Sequence, residues 1–121
     1  MKAFLTLGID LKNELMTTVR LTTGGVCSYA GLSYDDGEDC KVCVTESLLL
    51  LAHRGFSEAR VSFYNENGLF VEAEGENQSG AEADEADEIS VALLNALAQG
   101  VVLERSGGKV RKISFRFAVQ K

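Results

Sequence analysis

The chain is 121 residues long, 45% hydrophobic and 25% charged, with a formal net charge of −6. That length suits one domain, residues 1–121, whose single core buries roughly two-thirds of the unfolded surface. The acidic balance excludes a nucleic-acid surface built on clustered Lys and Arg, and no apolar run approaches the ~20 residues that span a bilayer.

Ala3-Phe4-Leu5-Thr6-Leu7-Gly8-Ile9 is predicted as a strand ending at Asp10. Residues 11–29 carry helical spacing, with Leu11, Leu15 and Val19 four apart and Val26 seven further on. A turn is expected at Gly31-Leu32-Ser33-Tyr34. Asp35 or Asp36 is the expected N-cap of a second helix, with Glu38 and Asp39 near its positive end. That helix runs to about His53 and stops at Gly55. Ala59 to Tyr64 alternates apolar and polar, as a half-buried strand does. Asn65-Glu66-Asn67-Gly68 is a hairpin turn, because Asn67-Gly68 tolerates positive φ, and Leu69 to Ala73 is the returning strand. Residues 74–88 hold seven carboxylates and are expected to form a loop. Ile89 to Leu97 is an apolar helix. Val101 to Arg105 and Val110 to Ala118 make a last hairpin around Ser106-Gly107-Gly108-Lys109.

This order predicts an α+β fold, a two-layer sandwich with helices on one face of a mixed, mostly antiparallel sheet. The N-terminus has one Lys, a short apolar stretch and an early Asp, so it reads as a strand and not a signal peptide. A cytoplasmic location is expected, with three reduced cysteines.

The stretch Val42 to Phe56, VCVTESLLLLAHRGF, resembles the signature helix of the anti-sigma factor serine kinases, small members of the GHKL (histidine-kinase-type) ATPase superfamily. Glu46, His53, Gly55 and Phe56 fit the pattern. The resemblance implies a GHKL-type sandwich and three nucleotide-binding boxes. In the first, a Glu organises water or acts as base, and an Asn four residues on holds magnesium. Glu46 is present, but Leu50 stands at the Asn position and cannot ligate a metal.

The second box follows the returning strand and reads Asp-x-Gly, its Asp taking the adenine amino group. The corresponding residues are Gly75-Glu76-Asn77, and Glu74 is one residue off, which in a strand turns it to the opposite face. The third box places glycines at a helix start beside the phosphates. Glu88-Ile89-Ser90 stands there, and Glu88 would repel polyphosphate. Leu50, Gly75, Asn77, Glu88 and Ser90 are therefore expected to be vestigial positions, with no cofactor and no metal. The alternative is ATP with magnesium, Glu46 then being catalytic. The resemblance implies a sigma factor or an anti-anti-sigma protein as partner, with a homodimer compatible, and no nucleic acid or membrane.

Three other features carry chemistry. Cys40 and Cys43 form a C-x-x-C, which reads as a redox or zinc motif or as core packing. Zinc would need Cys27 and His53 as well, and His53 lies ~15 Å along the helix from Cys43. His53 is the only histidine, and a capping or packing role fits it. Leu48 to Leu51 covers more than one helical face, so Leu50 is expected to fill a vacated cavity, or the run to form a docking patch. The acidic segment Glu82 to Glu88 reads as a solvated loop or as a site for a basic partner.

Overall fold

A computed structural model describes residues 2–78 and 87–119. The elements are β1 (Leu5–Asp10), a 3-10 turn (Asn13–Leu15), α1 (Met16–Ala30), α2 (Tyr34–His53), β2 (Phe56–Asn65), β3 (Gly68–Gln78), α3 (Glu88–Leu97), β4 (Gln99–Ser106) and β5 (Lys109–Ala118). The strands form one sheet in the order β1-β2-β3-β5-β4. Every pairing among the described residues is antiparallel. The fold is thus an α+β open sheet with three helices, as expected, though without a parallel pair.

Alternation builds the core. Ala59, Val61 and Phe63 on β2, Val71 and Ala73 on β3, and Ile113, Phe115 and Phe117 on β5 are all buried. Register places them in rows, Val61 beside Ala73 beside Ile113 and Phe63 beside Val71 beside Phe115. The opposite face carries Arg60, Glu72, Glu74 and Lys112, tied by ion pairs of 3.1 Å (Arg60–Glu74) and 2.9 Å (Lys112–Glu72). Cys43, Val44, Leu48, Leu50 and Leu51 of α2 complete the core with Val19, Val26 and Cys27 of α1. Burying each large aliphatic side chain contributes roughly 1.5–3 kcal/mol.

Local chemistry sets the boundaries. The β2–β3 turn has Asn67 at φ 55° and Gly68 at φ 136°. A Cβ on Gly68 would lie 2.4 Å from the Phe117 carbonyl oxygen, so only glycine fits. Three expectations are corrected. The N-cap of α2 is Ser33, whose Oγ accepts from the Asp36 amide at 3.1 Å; Asp35 and Asp36 sit in the first turn, where the helix dipole favours them. The first helix begins at Met16 after a 3-10 turn, not at residue 11. Residues 74–78, expected in a loop, continue β3, because ladder pairing to β2 satisfies their backbone groups. Residues 79–86, most of the expected acidic loop, lie outside the described residues. No described helix is long and apolar enough to cross a membrane.

Candidate functional site

The centre of the site is the middle of α2. Glu46 is half-buried, and the Ser90 hydroxyl, from the first turn of α3, donates to its Oε2 at 2.8 Å. Ser90 itself is buried. Leu50, one turn further along α2, is fully buried, as are Leu48 and Leu51, while Leu49 is 41% exposed. The leucine run therefore has one outward member, and Leu50 belongs to the core. Helical spacing puts Glu46 and Leu50 on one side of α2, so the side that carries the carboxylate carries an aliphatic plug next to it.

A second contact ties the same two helices. Asp87, at the N-cap position of α3, does not cap that helix with its side chain. Its carboxylate reaches back to the end of α2, with Oδ1 3.4 Å from His53 Nδ1 and Oδ2 3.2 Å from Arg54 Nε. Ser90 and Asp87 thus fasten the start of α3 at two points along α2, roughly two turns apart. His53 serves as part of that fastening. Glu88, between them, is exposed.

Gly75 and Asn77 lie elsewhere, on β3. Gly75 is buried, and the ring of Phe56 covers it. A Cβ at Gly75 would lie 2.5 Å from Phe56 Cγ, so the ring fills the space a side chain would take. This is the aromatic covering of a strand glycine. Glu74 points to the other face, pairing with Arg60 at 3.1 Å and Arg111 at 3.7 Å. Asn77 is exposed, with φ 55°, and its amide donates to Glu58 Oε1 at 2.7 Å. Gly75 and Asn77 line a cavity of about 150 Å³ with Phe56, Ser106, Lys109 and Arg111. That is below the ~300 Å³ at which small-molecule pockets begin. Glu46, Leu50 and Ser90 do not line it.

The structure therefore joins Glu46, Leu50 and Ser90 in one place and separates them from Gly75 and Asn77. Asp87 and Phe56 are the partners that residue-by-residue reading missed. An Asp just before an apolar helical run is a start signal that could have found Asp87; nothing local marked Phe56 as the cover of Gly75, nineteen residues on in sequence.

Cys27, Cys40 and Cys43 are all free and buried. Cys40 of α2 and Cys27 of α1 each have the other as the strongest influence on their acidity, and Cys43 acts on Cys40 more weakly. Cys43 is buried, and burial pushes its pKa up to about 12, helped by the charges of Asp39 and Glu46. Among the described residues no group of three His, Cys, Asp or Glu side chains could hold a metal ion.

A stretch of 55 residues, 46% of this chain, is 34% identical to the serine-protein kinase RsbW of Staphylococcus aureus, in strains JH9, Newman and USA300 alike. The stretch covers 35% of RsbW, so the chain spans about a third of the relatives it matches. No family model matches the chain. This similarity agrees with the resemblance to the anti-sigma factor serine kinases.

Proposed function

We propose that the chain is an anti-sigma-type regulatory domain that acts by protein–protein contact and does not use ATP. Its partner would be a sigma factor or an anti-anti-sigma protein, and self-association into a homodimer is compatible with the acidic, soluble-type composition. The observation that carries this reading is the 2.8 Å bond from Ser90 to Glu46. In a kinase of this family that carboxylate faces the nucleotide, whereas here the first turn of α3 occupies it. Leu50 supports the reading, since a fully buried leucine stands where the metal-binding Asn belongs. So does the Phe56 ring, which takes the space an adenine-reading Asp at Gly75 would need.

A second reading is an active serine/threonine kinase with a divergent pocket. Glu46 itself and the similarity to a serine-protein kinase favour it. Calorimetric titration with ATP and magnesium separates the two. The proposed regulator gives no heat and no thermal stabilisation at millimolar nucleotide. Micromolar binding that disappears in Glu46→Ala would restore the kinase. Titration against candidate sigma and anti-anti-sigma proteins then identifies the partner.

A further inference from the structure

We propose that Cys27 and Cys40 form an oxidisable dithiol, which hydrogen peroxide converts into a disulfide linking α1 to α2. The proposal is independent of whether the chain binds ATP. Cys27 lies in the last turn of α1 and Cys40 in the second turn of α2. The short turn through Gly31 and Ser33 folds these helices together, and the Leu32 amide donates back to the Cys27 carbonyl at 3.0 Å. Gly37 keeps the approach open, for a Cβ there would sit 3.6 Å from Cys27 Cβ. Cys40 follows Gly37 by three residues, on the same side of α2. Both cysteines are buried at this α1–α2 seam, and each is the strongest electrostatic neighbour of the other.

Solvent reaches the Cys27 side of the pair. Cys27 lines a cavity of about 210 Å³ with Gly24, Ser33, Tyr34, Glu38 and Lys41. Cys40 does not line it and is fully buried. The Lys41 ammonium stands at the cavity, paired to Glu38 at 2.6 Å. The hydrogen bond from Cys40 holds the Cys27 thiol below its ordinary range despite burial, with Lys41 adding to the effect. The same contact, with burial, raises the Cys40 thiol. Cys27, which lines the cavity, is then the thiol that peroxide reaches and that attacks as the thiolate, the nucleophilic form, and the enclosed Cys40 is the resolving thiol.

The chemistry balances with peroxide as the oxidant. Cys27 Sγ attacks one peroxide oxygen, the O–O bond breaks, and the departing hydroxide takes a proton to become water. Cys27 is left as a sulfenic acid. Cys40 Sγ attacks that sulfur, the S–S bond forms, the S–O bond breaks, and the hydroxyl leaves as a second water with the Cys40 proton. The two sulfurs lose two electrons and the peroxide gains them.

The sequence supplies a clean test. Trypsin cuts after Arg20, Lys41 and Arg54, so Cys27 and Cys40 share peptide 21–41, and Cys43 alone falls in peptide 42–54. The folded protein is treated with hydrogen peroxide, denatured, alkylated and digested. The expected result is peptide 21–41 two hydrogens lighter and unalkylated, with peptide 42–54 alkylated once, in a chain still monomeric on a non-reducing gel. Free thiols fall from three to one. Cys43→Ser leaves this unchanged, and Cys40→Ser gives a Cys27 sulfenic acid that dimedone traps. Peptide 21–41 carrying two alkyl groups, its linkage to peptide 42–54, or a disulfide between two chains would each overturn the proposal. Should Cys40→Ser not fold, the wild-type map and Cys43→Ser still decide it.

Discussion

Ser90 and Glu46, 44 residues apart in sequence, are joined by a 2.8 Å hydrogen bond that sets α3 against α2. The acceptor is a carboxylate and the donor is buried, so the bond is worth more than a neutral surface contact. Ser90→Ala is expected to cost about 1–2 kcal/mol, because hydrogen bonds to charged groups contribute ~1.5–3 kcal/mol and Glu46 keeps partial access to water. Urea unfolding of the single variants and of Ser90→Ala combined with Glu46→Gln measures the coupling. Additive losses would mean that the contact carries no energy.

Leu50 and its neighbour Leu49 should behave oppositely. Leu50→Ala removes a fully buried side chain and is expected to cost about 2–5 kcal/mol. Leu49→Ala, at 41% exposure, should cost under about 1 kcal/mol. Leu50→Asn introduces the residue type that the family resemblance implies for metal binding but buries an amide among hydrocarbon, and under the proposed function is expected to lose at least ~2 kcal/mol without gaining magnesium-dependent ATP binding. Thermal melts with and without nucleotide read both effects.

Gly75→Ala places a methyl 2.5 Å from the Phe56 ring. Overpacking of this kind costs about 1–3 kcal/mol. Phe56→Ala in the same chain should relieve the clash, so the double variant is expected to be more stable than the two losses summed. Simple additivity in denaturant titrations would show that the ring and the glycine are not in register.

Glu72 and Lys112 give the pH dependence. Partial burial raises the Glu72 pKa, but hydrogen bonds from Tyr64 and Lys112 outweigh it and hold the carboxyl below its usual range. Its contribution is present above the unfolded value of about 4.3 and is lost as pH falls through the lower folded value. The hydrogen bond to Glu72 holds Lys112 above its usual range despite some burial. That contribution is complete below about 10.4 and is lost as pH rises through the higher folded value. Lys112→Met should therefore cost a roughly constant amount, up to about 1 kcal/mol for so exposed a pair, between those limits. The difference from wild type should shrink at both ends. A pH-independent difference would assign the loss to packing.

The elements were legible because each rests on short-range chemistry. Alternation in Ala59 to Tyr64 marked β2, Asn67-Gly68 marked the hairpin, and the apolar run after Asp87 marked α3. Legibility fell where two local signals competed. The carboxylates of residues 74–78 read as a loop, yet ladder bonds to β2 hold them in strand. Ser33 and the Asp pair after it could each cap α2, and Ser33 does so because its Oγ meets the Asp36 amide.

The sequence by itself determined the α+β class and the helix that holds Glu46 and Leu50. These follow from residue type and from spacing within one element. The tertiary structure alone decided what each group faces. It set Ser90 on Glu46, Asp87 between His53 and Arg54, the Phe56 ring over Gly75, and Cys27 of α1 against the Gly37 turn of α2. Each of these contacts joins different elements. Their distances depend on how helices and strands pack, and packing depends on the whole set of buried volumes rather than on any one segment.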